Sequence, residues 1–203
     1  MSLDAVLVTG ATGFIGTHLC DLLARQGKNI RGFAFPGEKT RHLEDLGVKI
    51  YSGDLSRPEM VNGICDGIDI VYHLASRVTY WGRKKDFYDA IYVATKNLLD
   101  VAADAGVSRF VYVSSYCACG LGGHLKGITE DTPPRKTSIY YGDAKLDAEN
   151  LVWQYQQDCG LTATVVRPSN VIGPGSVWVK DAIDSYLRSR IFHLIDHGRY
   201  SRD

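Results

Sequence analysis

Short apolar, β-branched runs recur along the chain and are separated by longer stretches of helical period. The runs cover residues 5–9, 29–35, 48–52, 68–74, 109–115 and 161–167. They are continuously apolar rather than alternating, as in strands covered on both faces. Helices are predicted over 14–26, 40–46, 58–65, 84–105, 138–158 and 179–189. Gly27, Gly47, Gly106 and Gly160 stand where helices must stop, since glycine tolerates the positive φ of a C-terminal cap. This alternation predicts an α/β fold with a doubly wound parallel sheet. Residues 120–134 read as a long loop, a kind often functional in compact domains. A further apolar run at 191–195 reads as a strand, after which the sequence stops with no element to cover it. The expected organisation is one nucleotide-type domain over 1–175 and the start of a truncated, incomplete C-terminal substrate-binding part over 176–203.

With 203 residues and 45% hydrophobic content, the chain can bury one substantial core. Lysine plus arginine and aspartate plus glutamate both number 23, so no net charge draws it to nucleic acid or an anionic membrane. No apolar run reaches membrane-spanning length and no basic leader precedes the first strand, so a cytoplasmic protein without membrane or nucleic-acid partners is expected. Cys20, Cys65, Cys117, Cys119 and Cys159 lack metal-site spacing and read as reduced thiols; no metal is expected.

The first strand leads into Gly10-Ala11-Thr12-Gly13-Phe14-Ile15-Gly16 and then an amphipathic helix. Strand, glycine turn and helix in this order suit a dinucleotide. Gly10 makes the tight turn, Gly13 lets backbone approach a pyrophosphate, and Gly16 lets the helix pack closely on the sheet. The helix N-terminus offers unpaired N–H groups and a positive dipole end to the phosphates. The first gap is one residue longer than in the G-x-G-x-x-G fingerprint, so the match is one of mechanism rather than spacing.

Further segments follow: GDL at 53–55, HLAS at 73–76, YVSS at 112–115, YGDAK at 141–145 and RPSNVIGPG at 167–175. Together with TGATGFIG at 9–16 they resemble the extended short-chain dehydrogenase/reductase superfamily, which includes sugar-nucleotide epimerases, dihydroflavonol-type reductases and 3β-hydroxysteroid dehydrogenase-like proteins. The resemblance implies a Rossmann-type fold and an NAD(P)(H) cofactor. It implies that Gly10, Thr12, Gly13, Phe14, Ile15 and Gly16 surround the pyrophosphate, and that Asp54 and Leu55 hold the adenine. Leu74, Ala75, Ser76 and Val113 would line the cofactor, with Pro168, Ser169, Asn170 and Val171 receiving the nicotinamide carboxamide. For Asp54 a turn or helix-cap role competes. His73 reads as a packed core histidine, and Arg167 as a partner for nearby carbonyls.

Tyr141 and Lys145 are four residues apart in a predicted helix, so both side chains fall on one face. A phenol with a reference pKa near ~10 exchanges protons poorly at neutral pH, and an adjacent ammonium favours its phenolate. Tyr141 is therefore the expected acid and base, and Lys145 its activator, binding the nicotinamide ribose as in the family. Ser115, at a strand end, is expected to bind the same substrate oxygen. Tyr140 is five residues from Lys145 and shares its face less well. Ile91 stands where the family carries asparagine, which puts any relay through that position in doubt.

Cofactor choice turns on the stretch after the second strand. Phe35 stands where relatives often carry arginine, while Lys39 and Arg41 can reach a 2′-phosphate. NADP is favoured over NAD, with Glu38 the competing NAD ligand. The leading expectation is an NAD(P)-dependent oxidoreductase acting on a secondary alcohol or ketone of a small-molecule substrate. A nucleotide-sugar epimerase or dehydratase and a non-catalytic dinucleotide sensor are the alternatives. Tyr80, Trp81, Tyr116 and Cys117 are candidate pocket walls, and the order Trp81-Gly82, Phe87-Tyr88 resembles the steroid- and flavonol-type branches. The helices over 84–105 and 138–158 resemble those through which relatives form homodimers.

Overall fold

The computed structural model describes residues 4–79, 81–120 and 127–189. The chain divides into two compact units, one formed by Met1–Gly123 with Pro133–Ser169 and the other by His124–Thr132 with Asn170–Asp203. The first unit holds six parallel strands: β1 (Ala5–Thr9), β2 (Asn29–Ala34), β3 (Lys49–Ser52), β4 (Ile70–His73), β5 (Arg109–Val113) and β6 (Thr162–Val166). Their spatial order is β3-β2-β1-β4-β5-β6. Strand order reverses between β1 and β4, where open parallel sheets of this kind take their ligands.

Successive side chains of a strand point to opposite faces, and β1 shows what that requires here. Val6 and Val8 pack with Cys20 and Leu23 of α1 (Phe14–Arg25) and Leu43 of α2 (Arg41–Asp45). Leu7, between them, packs in the other cluster with Phe110, with Leu98 and Leu99 of α4 (Ala94–Asp104), and with Ala148 and Val152 of the helix Tyr140–Cys159. Both faces of β1 are covered, so its positions 5–8 are all apolar.

Each return into the next strand passes a glycine at positive φ: Gly27, Gly47, Gly67, Gly106 and Gly160. Gly67 was not among the expected helix stops, and the segment before it is not the predicted helix over 58–65. Only the turn Pro58–Met60 is helical, of the 3-10 kind, and Gly63 at φ 69° ends the possibility of a longer one. The predicted helix over 84–105 is three pieces: α3 (Lys84–Tyr88), a π-helical turn Asp89–Val93 that contains Ile91, and α4. The helix expected from 138 begins at Tyr140, as α5 (Tyr140–Cys159). Ser138 lies at φ 64°, a conformation no right-handed helix accepts. Just before it, the Thr137 N–H donates to the Asp143 carboxylate at 2.9 Å and fastens the chain to the first turn.

In the second unit, α6 (Val177–Ser189) starts two residues before the predicted element. The strand expected at 191–195 and the candidate wall Tyr80 lie outside the described residues. All five cysteines are free thiols and all but Cys159 are buried. Among the described residues no helix is long and apolar enough to cross a membrane, and no group of His, Cys, Asp and Glu is arranged to hold a metal.

Candidate functional site

The glycine turn joins three strand ends. Gly10 donates its N–H to the Phe33 carbonyl of β2 at 3.1 Å, and a Cβ on it would meet the Ala75 Cα at 2.9 Å. A Cβ on Gly16 would lie 2.1 Å from the Gly10 carbonyl oxygen, so only glycine lets α1 start this close to the strand. Gly13 caps α1 without a side-chain hydrogen bond, and the first turn carries no acidic residue. No residue of the helix itself therefore competes for its first N–H groups and dipole end. The Ser76 hydroxyl is buried with no hydrogen-bond partner among the described residues. An uncapped helix start beside an orphaned buried hydroxyl fits a polar, phosphate-bearing ligand such as a dinucleotide.

A chain of hydrogen bonds with one consistent polarity lies under this turn. The Ala75 N–H donates to the Thr9 hydroxyl at 3.2 Å, and Thr9 meets His73 Nδ1 at 2.7 Å. His73 Nε2 meets the Thr95 hydroxyl at 3.0 Å, and Thr95 donates to the Ile91 carbonyl at 2.6 Å. Because the Thr95 proton is committed to Ile91, Nε2 must carry the ring proton and Nδ1 must accept from Thr9. Burial, helped by the charge of Lys145, pushes the His73 pKa down to about 3. His73 is the core residue expected, and it ties the segment Leu74 to Ser76 to the π-turn. Ile91 is itself buried in the core, so its side chain offers no polar relay.

Lys145 sits at the centre of the site. It is 2% exposed, its ammonium donates to the Val113 carbonyl at 2.8 Å, and it stands 5.0 Å from the centre of the Tyr112 ring. Burial lowers its pKa to about 7, against the opposing pull of Glu149 one turn further along α5. Glu149 is 1% exposed and is gripped by Arg167 through Nε at 3.0 Å and Nη2 at 2.6 Å. Arg167 therefore serves a buried carboxylate rather than the nearby carbonyls that were its alternative role.

Tyr141, half-buried, packs against the core cluster one turn before Lys145. Tyr140 is 42% exposed and its ring turns towards Phe87. The Ser115 hydroxyl accepts the Cys117 N–H at 3.2 Å and caps the 3-10 turn Tyr116–Cys119. Gly142 lets α5 pack against that turn, for a Cβ there would fall 2.7 Å from the Cys117 carbonyl oxygen. This glycine, between Tyr141 and Lys145, brings the first turn of α5 to the strand end bearing Ser115. Its role was missed, although YGDAK displays it.

Other predicted residues are engaged differently. The Asp54 carboxylate accepts the Ser56 N–H and hydroxyl at 2.9 and 2.8 Å, the turn role that competed with adenine binding. The Leu55 side chain is buried in the core, and the buried amide of Asn97 donates to its carbonyl at 2.9 Å, so Leu55 offers a ligand backbone only. Phe35 and Lys39 are exposed. Pro168 and Ser169 belong to the first unit, with the Pro168 carbonyl accepting the Tyr116 N–H at 3.1 Å, whereas Asn170 and Val171 belong to the second. Glu38 is the unforeseen contact: its carboxylate takes the N–H of Phe35 and the hydroxyl of Thr12.

Fold and site define a wound α/β protein built around a nucleotide turn at the sheet's switch point. The family can be named more closely: the model of the NAD dependent epimerase/dehydratase family matches residues 6–203, and the chain belongs to that family. It is 31% identical over 172 residues to a 2-alkyl-3-oxoalkanoate reductase of Shewanella oneidensis, covering 84% of this chain and 44% of that protein. It is 30% identical to a 3 beta-hydroxysteroid dehydrogenase/Delta 5-->4-isomerase of Mycobacterium tuberculosis, covering 98% of this chain and 55% of that one. Among solved structures, a UDP-glucose 4-epimerase of Thermotoga maritima superposes with a TM-score of 0.85 at 25% identity, covering 97% of this chain and 67% of that one. The chain spans about half the length of the curated relatives it matches, between 44% and 58% for the first three.

Proposed function

We propose that this chain is the cofactor-binding part of an NAD(P)-dependent oxidoreductase that moves hydride to or from a secondary alcohol or ketone. The observation that carries the reading is the buried Lys145 ammonium, fixed on the Val113 carbonyl one helical turn from Tyr141. Names of relatives support it, several being ketone reductases or steroid dehydrogenases.

In this reading the N-terminus of α1 holds the pyrophosphate, and the backbone of Leu74 to Ser76 lines the path of the dinucleotide. Pro168 and Ser169 receive the carboxamide, and Asp54 and Leu55 flank the adenine. When bound, the nicotinamide supplies or accepts the hydride. Lys145 presents a positive charge to the ribose and to the phenol of Tyr141, favouring phenolate. During reduction Tyr141 gives its proton to the alkoxide oxygen as hydride reaches the carbonyl carbon; in oxidation it removes the hydroxyl proton. Ser115 donates its hydroxyl proton to the same oxygen, its lone pair being held by the Cys117 N–H. Free thiols throughout support a cytoplasmic setting, and the exposed Trp153 on α5 supports a homodimer through the α4–α5 layer.

Tyr141→Phe tests the assignment. Turnover on ketones should fall by about two to four orders of magnitude, the usual contribution of a general acid, while dinucleotide affinity stays within about twofold. Full turnover in the variant sinks the role of Tyr141. A nucleotide-sugar epimerase is the second reading, favoured by the structural likeness to UDP-glucose 4-epimerase. Product formation without net change in cofactor absorbance supports that second reading over the first.

A further inference from the structure

We propose that Glu149 is a positioning residue for the proton transfer: its carboxylate, locked in place by Arg167, keeps the buried Lys145 ammonium charged. The inference rests on the reading of Lys145 as the cation that activates Tyr141. Tyr141, Lys145 and Glu149 follow one another at intervals of four along α5, so their side chains form one row on the helix. Lys145 and Glu149 are both buried. Arg167, just beyond β6, closes the row. Its Nε meets the two carboxylate oxygens at 3.0 and 3.1 Å, and its Nη2 meets Oε2 at 2.6 Å. A phenol, an ammonium, a carboxylate and a guanidinium thus run in sequence from the site into the protein.

An ammonium taken out of water needs a counter-charge, because burial favours the neutral amine. Val113 offers Lys145 only a neutral carbonyl at 2.8 Å, and Tyr112 only a ring whose centre is 5.0 Å away. The titratable groups that face it from other elements bring no anion at neutral pH. Burial keeps His73 of β4 a neutral imidazole, raises Tyr112 of β5 well above the phenol range, and pushes up the Cys117 thiol of the 3-10 turn. Carboxylates of the helices packed on α5 are engaged elsewhere: Asp86 with Arg83, Asp89 with Lys85, and Asp100 with Lys96 and Tyr155. On α5 itself, Asp143 takes the Thr137 N–H, and Asp147 takes the Tyr88 hydroxyl and Lys136. Among the described residues Glu149 is the carboxylate left to Lys145, and it is the largest influence opposing burial there. Without it the row would hold two cations and no anion.

Nuclear magnetic resonance of the whole chain, with its lysines isotope-labelled at Cε, reads the charge on Lys145 against pH in the absence of any dinucleotide. The spectrum of Lys145→Met identifies the resonance. Glu149→Gln keeps the shape of the side chain and removes its charge, whereas Glu149→Asp keeps the charge on a shorter stem. In Glu149→Gln the Lys145 midpoint should fall by about one pH unit or more, a roughly tenfold loss in the ratio of ammonium to amine at fixed pH. In Glu149→Asp it should stay within about half a unit of the native value. Should the stranded guanidinium keep Glu149→Gln from folding, the double variant Glu149→Gln, Arg167→Met removes both charges; its midpoint should still fall by about half a unit or more. An unmoved midpoint in the folded variants, or a fall in Glu149→Asp as large as in Glu149→Gln, reduces Glu149 to packing and overturns the proposal. Full turnover in Tyr141→Phe with these shifts present sinks the reading of Tyr141, while the control of Lys145 by Glu149 stands.

Discussion

Protonation of His73 is the perturbation whose size can be worked most directly. The ring is fully buried, its Nδ1 accepts from Thr9 and its Nε2 donates to Thr95. A second ring proton would leave Nδ1 and the Thr9 hydroxyl both as donors, and would add a charge near Lys145. Folded, the group has its pKa lowered from 6.5 to about 3. Because the folded value is depressed, the unfolded chain binds the proton first. The stability due to the neutral ring is fully present above pH ~6.5 and is lost as pH falls towards ~3. Each pH unit in that window removes ~1.4 kcal/mol, so near pH 5 the loss is ~2 kcal/mol. Urea unfolding at stepped pH should show this slope in the native protein. In His73→Asn, less stable at neutral pH by ~2–4 kcal/mol, the slope should flatten by one proton's worth. Nuclear magnetic resonance of the native imidazole supplies a check that needs no variant: the ring should keep its neutral signature down to pH ~4. A His73 that titrates near ~6, or parallel pH profiles for the two proteins, refutes the reasoning.

Two further outcomes follow from close contacts and from charge. Gly142→Ala sets a Cβ 2.7 Å from the Cys117 carbonyl oxygen and must push α5 away from Ser115; a loss of ~1–3 kcal/mol in urea unfolding is expected, with turnover falling further than stability explains. Arg167→Met strands Glu149, which is 1% exposed, without its cation; melting should show a loss of ~3–5 kcal/mol, and Glu149→Gln in the same protein should restore part of it.

The central strand was legible because burial on both faces favours apolar residues, and β1 matches its predicted bounds of 5–9. Helix ends set by a single backbone angle were not. Ser138 at φ 64° delays α5, and Gly63 stops the helix expected after Pro58. The π-turn over Asp89–Val93 was likewise invisible, since the hydrophobic period of 84–105 continues through it. In the site, residues adjacent in sequence were the easier part: the glycine turn and the Tyr141–Lys145 spacing are local patterns. Contacts that join distant segments carried little signal. Asn97 on the Leu55 carbonyl, Arg167 on Glu149, and Glu38 on Thr12 each depend on how the sheet stacks its elements. Phe35 and Lys39 were chosen for the coenzyme by position along the chain, whereas the structure brings the carboxylate of Glu38 to the turn.

The five glycine-closed returns have a consequence for how this fold tolerates change. Gly27, Gly47, Gly67, Gly106 and Gly160 all enter strands at their amino ends, and nothing lies within 4 Å of where their Cβ atoms would be. The groups assigned to chemistry gather instead at the carboxyl ends, on the opposite rim. Inserted peptides, affinity handles or chain breaks placed at these returns meet open solvent and leave the reactive rim untouched. The architecture thereby keeps the rim that can accept an insertion apart from the rim proposed for the chemistry.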